Sequence, residues 1–455
     1  MHTTPSLLLG RYSCGDPSPQ ATSAETRRRD DARHRAHGVR RTSRVATSRV
    51  AASRVSACFA LLSLVACAAD GGGSAGPPAT VDTLAGGVVR TVSSAPAEPG
   101  RWRLEPVLRI QPPEGSPGEL FEPGDLAITT DGGVLVAESR EAAVKVFDAE
   151  GTYVRTIGRD GAGPGEFRSA WLAVRGDTLL VQDPQLARAS TFLISDGTLL
   201  ATHATAGRYW APVGIDGRHR AVIRMVDDES ADSSMGPAQR FLRLAFRGTP
   251  LDTVAVPYRA SDGEAAVWRV QSGDRLLGTV RVPLVARDEQ QADPAGGFVT
   301  AWTGAYVLRV SRDGRDTAEL FGRLFEPEPV SSGDKVTIAR ARARELDFGP
   351  SGPPPEALER AFTVDKIPDV RPPFEQFHLD PAGRTWVRRT LADSSFVTFD
   401  VFGADRRWLD VVQVPAAGWP GTTWSSVAWG KDRVAVLLTD DAGLPLVQLY
   451  RIVRR

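Results

Sequence analysis

Few residues in this chain combine a type and a spacing that could do chemistry. Gly161-Ala-Gly-Pro-Gly-Glu166 has the glycine density of a phosphate-cradling loop. It has no Gly-Lys-Ser/Thr, no dinucleotide spacing and no following helix to hold an anion at its N-terminus, so it reads as a connection between strands. The histidines after residue 67 are His203, His219 and His378, and their spacing matches no metal-ligand pattern. Ser and Asp are plentiful, but there is no Gly-x-Ser-x-Gly elbow and there are few histidines to serve as a base. Calcium sites draw on Asp, Glu and Asn oxygens; the chain has no Asn, although Asp could substitute. The expectation is therefore no cofactor, with nothing in favour of Ca²⁺. Among the ten tryptophans, Trp171, Trp210, Trp268, Trp302, Trp386 and Trp408 fall at strand positions and read as packing. Trp419, Trp424 and Trp429 lie in a Gly/Ser/Pro-rich stretch and are the candidates for an exposed binding patch.

The elements that would position these residues show through a repeat. Ser116-Pro-Gly-Glu-Leu-Phe-Glu-Pro-Gly-Asp-Leu-Ala-Ile128 returns as Gly163-Pro-Gly-Glu-Phe-Arg-Ser-Ala-Trp-Leu-Ala-Val174. Val134–Glu138 returns as Leu179–Asp183, and Phe147, Gly151 and Tyr153 return as Phe192, Gly197 and Leu199. A third copy, Val401–Leu409, has Arg406 where the turn glycine should stand. Short alternating strands with Gly turns at a period of about 40–45 residues mark a β-propeller blade of four antiparallel strands. The fold class is all-β, a six-bladed propeller over residues 82–455, with seven shorter blades as the alternative. One blade is expected to contain Val267–Ala318. Trp102–Ile110 is placed to pair with the C-terminal hairpin, Arg433–Thr439 and Leu446–Val453, and so close the ring. Residues 331–368 form an insertion in which Asp334 caps a helix from Lys335 and Glu356–Phe362 forms a second. Those helices either hang over one face or pack on the side. Without Asn, the turns rely on Asp, as in Asp131-Gly132, Asp196-Gly197 and Asp313-Gly314.

The N-terminal part differs in composition. Residues 1–66 carry 11 Arg and 4 acidic residues, which leaves 44 basic and 51 acidic residues beyond, a net charge of −7 that disfavours nucleic acid. All three Cys fall at or before residue 67, so no disulfide staples the ring. Arg49 and Arg54 precede the apolar run Ala57–Ala66, the length of a signal h-region and too short to span a bilayer. Leu64-Val-Ala-Cys67 resembles a bacterial lipobox, with Cys67 the acylated residue and residues 67–81 a lipidated Cys and flexible tether. Residues 1–44 are Arg-rich and without periodicity, so the start of translation is expected nearer Val45 or Val50, and the first 66 residues are a disordered extension plus signal peptide.

The order of strand, Asp-Gly, strand, acidic residue, Val-Phe-Asp-x-x-Gly, strand and Ile-Gly-x-x-Gly-x-Gly-Pro-Gly-Glu-Phe resembles NHL-repeat propellers. It is similar to the six-bladed propeller lipoproteins of GC-rich bacteria. In that pattern an Asp ending the second strand partners an Arg five residues on. Asp183 and Arg188 keep the pair, while Glu138 and Ala143 break it. Glu138, Phe147, Gly151, Gly165, Glu166, Asp183, Arg188, Phe192 and Phe402 are accordingly structural positions, Glu166 reaching towards a neighbouring blade. The resemblance implies a six-bladed fold and assigns no activity. The favoured expectation is a monomeric lipoprotein of the cell envelope, held to the membrane by diacylglyceryl-Cys67, that binds a protein, peptide or glycan without catalysis. The alternative is a metal-assisted, lactonase-like hydrolase or lyase at the central channel, which a ring of three or more inward carboxylates would favour. Any function is expected in the less repetitive third to fifth blades, the insertion or the Trp-rich loop.

Overall fold

The computed structural model describes residues 79–205, 213–216, 218, 220–225, 238–246, 249–257, 259, 266–272, 275–345, 358, 360–420 and 426–455. Strands β1 (Ala79–Thr83), β2 (Val89–Ser93) and β3 (Trp102–Ile110) come first. Blade 1 is β4–β7 (Pro123–Ile128, Val134–Glu138, Ala143–Phe147, Tyr153–Ile157) and blade 2 is β8–β11 (Trp171–Arg175, Thr178–Asp183, Arg188–Leu193, Leu199–Ala204). Blade 3 is β12–β15 (Val213–Ile215, Ala221–Arg224, Ala238–Leu244, Pro250–Pro257), followed by a separate hairpin, β16 (Val267–Ser272) and β17 (Arg275–Arg281). Blade 4 is β18–β21 (Asp288–Ala292, Phe298–Trp302, Val307–Ser311, Glu319–Arg323) and is followed by helix α1 (Ser332–Glu345). Blade 5 is β22–β25 (Phe374–Leu379, Thr385–Arg389, Phe396–Phe402, Trp408–Pro415). Blade 6 joins β26 (Val427–Trp429), β27 (Arg433–Thr439) and β28 (Pro445–Arg454) to β3, which pairs antiparallel with β28 from Trp102↔Arg454 to Ile110↔Val447.

Six apolar clusters, one at each interface between successive blades, close the ring. Leu135, Ala137 and Val144 meet Phe167, Leu179 and Phe192 between blades 1 and 2. Ala173 and Leu180 meet Ile223 and Leu244 between blades 2 and 3, and Val254 and Val256 meet Phe298 between blades 3 and 4. Leu308 and Phe321 meet Phe377 and Phe402, and Phe399 and Val401 meet Val434 and Tyr450. Ala435 and Val447 meet Val134 and Phe147 between blades 6 and 1. The ring thus has six blades, and the inner strands of blades 3 and 4 adjoin across the hairpin that separates them in sequence.

Four expectations are corrected. Strict apolar–polar alternation holds only in outer strands such as β7 and β11, because β5 and β6 are buried along their whole length between two neighbours. Residues 267–281 belong to no blade. Their hairpin packs Trp268 and Val280 against Ala339, Phe362 and Ile367 of the insertion, Trp268 Nε1 donating to the Thr363 carbonyl at 3.0 Å. The helix cap is Ser331, whose Oγ accepts the Asp334 N–H at 3.1 Å while Asp334 accepts the Ser331 N–H at 3.0 Å, a reciprocal capping box. Of the second helix expected at Glu356–Phe362, residues 358, 360 and 361 are helical, the Phe362 N–H donating to the Leu358 carbonyl at 3.0 Å, and 356, 357 and 359 lie outside the described residues. Residues 79–81, read as tether, lie in β1, which with β2 extends blade 4 to six strands, β2 running parallel to β21.

From β2 the chain runs as a belt. The N–H groups of Ala97 and Glu98 donate to Trp408 and Leu409 carbonyls of blade 5 at 2.9 and 2.7 Å. Buried Asp410 then takes the N–H groups of Gly100 and Trp102 at 2.9 and 2.8 Å as β3 begins.

Turns between third and fourth strands place a positive-φ residue against the outer strand of the preceding blade. Gly151 (φ 82°) faces Leu108 and Ile110, and Gly314 (φ 89°) faces Val254 and Val256, so closely that a Cβ would meet them near 3.0 Å. Arg406 holds the corresponding place with φ 65°. Its guanidinium reaches Glu319 at 2.9 Å and buried Asp293 at 3.1 Å in blade 4, and lies over the Phe321 ring. Relief of left-handed strain is worth about 1–2 kcal/mol, whereas stranding a buried carboxylate costs about 3 kcal/mol or more. Arg406→Gly is therefore expected to lower the urea midpoint; a midpoint equal to or above that of the parent would contradict this account.

Candidate functional site

Strand alternation sorts the connections onto two faces. One carries the turns from first to second and from third to fourth strands, all tight. Asp148, Asp216 and Asp380 each accept N–H groups two and four residues on, which is how a chain without Asn closes them. The opposite face carries the connections from second to third strands and between blades, including hairpin β16–β17 and the insertion with α1. Everything long and irregular gathers there.

Several predicted motif residues hold the blade connections on that face. Glu138 accepts the N–H groups of Phe121 and Glu122 at 2.8 and 2.5 Å, and Asp183 accepts those of Arg168, Gln185 and Leu186. Arg188 stands opposite Asp183 across the strands but gives its guanidinium to the carbonyls of Ala162, Gly163 and Glu166. In blade 1, where Ala143 takes the Arg position, Lys145 one pleat further on donates to the Pro117 carbonyl at 2.9 Å and pairs with Glu141. Lys145 thus holds the incoming connection as Arg188 does in blade 2, and in neither blade does the base bond the acidic residue that ends the second strand. Glu166 does not reach another blade; it binds the Gly163 N–H at 2.7 Å and Arg159 at 2.9 Å within its own loop. Phe147, Phe192 and Phe402 each pack towards the preceding blade.

Trp419 and Trp429, two of the three expected patch residues, do not form a surface. Trp419 is 5% exposed and sits with Trp429 among Trp386, Phe399 and Tyr450, filling the interface between blades 5 and 6. Trp429 also stacks on buried His378 at 5.4 Å, and burial pulls that imidazole down to about 3, so it stays neutral. Trp424 and Cys67 lie outside the described residues.

What the sequence did not signal is a charged mouth at the start of the inner strands of blades 4 and 5. Arg287 binds Glu289 and donates to the Glu375 carbonyl at 2.6 Å. Glu375 is the extra residue of a β-bulge, opposite no residue of β23, and its carboxylate meets Arg388 at 2.5 Å. Arg388 reaches on to the Pro420 carbonyl at 3.2 Å. Burial pushes the carboxyls of Glu289 and Glu375 up, against the pull of these arginines. Arg224, at the end of β13, and Arg281, at the end of β17, are exposed, Arg224 Nε donating to Gln239 Oε1 at 2.8 Å.

The inner strands carry four carboxylates, Asp125, Asp288, Glu289 and Glu375, but each is engaged singly. Asp288 takes Gln290 Nε2 at 3.2 Å, and Asp125 accepts the Leu172 N–H of the next blade at 2.7 Å. Among the described residues no three His, Cys, Asp or Glu converge as a metal would require. Two surface hollows, of about 350 and 310 Å³, lie along residues 109–118 with 151–153 and along Gly158, Arg159 and Pro164–Glu166, and neither gathers a catalytic constellation.

No protein-family model matches the chain, and no curated protein matches it in sequence. Among solved structures it is similar to an exported protein from Bacteroides fragilis, 11% identical over 80% of this chain and 98% of that one, with a TM-score of 0.44. A DUF4221 member from Bacteroides vulgatus is 12% identical over 79% and 100%, with a TM-score of 0.43. The Cps50 (Swd1) β-propeller domain of Myceliophteria thermophila is 8% identical over 76% and 99%, at 0.36.

Asp125 sets a pH dependence. Burial raises its carboxyl to about 7, against the pull of the Leu172 and Leu126 N–H groups. The folded chain holds that proton where the unfolded chain, with an ordinary value of 3.8, has lost it, so this group's contribution to stability falls as pH rises from about 4 to 7. Asp125→Asn keeps the acceptor without the charge. It is expected to match the parent near pH 4 and to exceed it by about 2–4 kcal/mol above pH 7 in urea unfolding. A difference independent of pH would refute the assignment.

Proposed function

We propose that the chain is an exported, lipid-anchored, monomeric propeller of the cell envelope, similar in kind to the NHL-type lipoproteins, and that it binds a protein, peptide or glycan without catalysis. The observation that carries this is the asymmetry of the ring: tight Asp-closed turns on one face, and on the other the hairpin, the insertion and the charged mouth. Binding residues concentrate on loops held by a rigid scaffold, and here the scaffold is a closed ring. The Leu64-Val-Ala-Cys67 sequence supports the anchor, and no helix among the described residues is long and apolar enough to cross a membrane. The 12 residues from Cys67 to β1 allow a reach of at most about 40 Å from a lipid surface.

Metabolic palmitate labelling of the expressed protein is expected to vanish in Cys67→Ser, and labelling that persists refutes the anchor. For the face, photo-crosslinking side chains at Phe396 (45% exposed, on the long-connection face) and Leu251 (52% exposed, on the tight-turn face) give a direct comparison. Adducts in intact cells are expected from position 396 and not from 251. Equal or reversed yields would overturn the choice of face.

A further inference from the structure

Three strand glutamines of the ring give their amide to a backbone carbonyl: Gln290 Nε2 to Pro257 at 3.1 Å, Gln448 Nε2 to Leu108 at 2.9 Å, and Gln291 Nε2 to Phe377. Gln182 of β9 does not. It is 0% exposed, and neither its Oε1 nor its Nε2 has a hydrogen-bond partner among the described residues. Thr191 of β10 is also wholly buried, with its Oγ1 unpartnered. The two share one face of blade 2. Gln182 pairs with Ala189 and Leu180 with Thr191, so Gln182 and Thr191 are diagonal neighbours on adjacent strands. Leu180 and Ala189, each two residues along its strand from one of them, pack against Ile223 and Leu244, so this face is turned to blade 3. On the other face of β10, Ser190 Oγ meets Thr202 Oγ1 at 3.0 Å and is satisfied. Polar atoms withdrawn from water without partners cost more than a made hydrogen bond gains, and native interiors rarely sustain them.

We infer that ordered water is held between blades 2 and 3, with one molecule bridging the Gln182 carboxamide and the Thr191 hydroxyl. Diagonal neighbours on paired strands stand about 7–8 Å apart, a gap that a glutamine side chain and one water close. The carboxamide presents an acceptor at one end and a donor at the other, and the hydroxyl acts as either. Water is also both, so it matches whichever end it meets. The two side chains supply the polar surround that a buried water requires. Ala173 and Ala189 from blade 2 and Ala221 from blade 3 are the small side chains of the same interface that leave room for it. The site is independent of the binding role proposed above. It makes the seam between blades 2 and 3 partly hydrated, where the seams on either side of blade 5 are filled with aromatic rings.

The test is a double-mutant cycle on the intact chain in urea, together with a crystal structure of the parent. The variants are Gln182→Met and Thr191→Val, near-isosteric changes that remove the polar atoms. A shared water makes the two losses overlap. Each single variant is expected to unfold at lower urea, its unfolding constant raised about tenfold. The double variant should lose much less than the sum of the two. The parent crystal should show a water oxygen about 2.7–3.2 Å from the Gln182 carboxamide and from Thr191 Oγ1. Losses that simply add would overturn the bridge, as would single variants that unfold at higher urea because a dry polar group has been removed. A protein group seated at that position in the crystal would overturn it too. Should a variant not fold, the parent crystal decides alone, by water bonded to those atoms or none.

Discussion

Each blade lies between two others, and this single constraint governs the molecule. A strand with a neighbour on both sides has no solvent face, so consecutive side chains must suit two different partners. In β5, Val134 and Val136 turn towards blade 6 while Leu135 and Ala137 turn towards blade 2. Fully burying a side chain of this kind contributes about 1.5–3 kcal/mol, and the inner strands collect it on both faces. An open chain of blades would leave one such face bare at each end. The ring therefore depends on β3, which comes from the opposite end of the chain to complete blade 6.

Polar groups follow the same logic one level up. Connections between blades bring backbone N–H and carbonyl groups over the ring, where each needs a partner. Glu138 and Asp183 supply acceptors, and Lys145 and Arg188 supply donors. Where blades 4 and 5 meet, the same region of the inner strands is given to charge instead. A bulge at Glu375 frees one carboxylate and one carbonyl to engage two arginines from different blades. Backbone groups take most of the polar side chains in the repetitive blades, and ion pairs take them where blades 4 and 5 meet.

The repeat made the ring legible, because turn glycines and the Val-Phe-Asp-x-x-Gly run keep their spacing in blades 1, 2 and 5. Arg406 broke the pattern in sequence yet kept the backbone conformation, since its side chain gains ion pairs that glycine could not make. The basic residue of blade 1 was hidden for a similar reason: Lys145 holds the connection at Pro117 from one pleat away. Trp419 and Trp429 were misplaced because a Gly- and Pro-rich stretch reads as surface, whereas both rings pack into the interface between blades 5 and 6 beside the three-residue strand β26. The charged mouth had no signal to find. Its members lie at 287, 289, 375 and 388, and only the packing of blade 4 against blade 5 brings them together.

The belt from β1 to β3 also decides how the molecule bears load. A force applied ahead of Ala79 acts first on β1, whose Ala79 pairs with Ser93 at the open end of a five-residue hairpin. Such a hairpin yields one pair at a time, unzipping towards its turn, and releases chain in small steps. The next stretch resists differently. Residues 97–102 are fastened to blade 5 through Trp408, Leu409 and the buried carboxylate of Asp410, and β3 then runs in long register along β28. Tension reaching that point would have to shear many bonds at once. The first hairpin is a compliant element in series with a stiff one, so the ring can be tugged from its N-terminal side without the strand that closes it being drawn out.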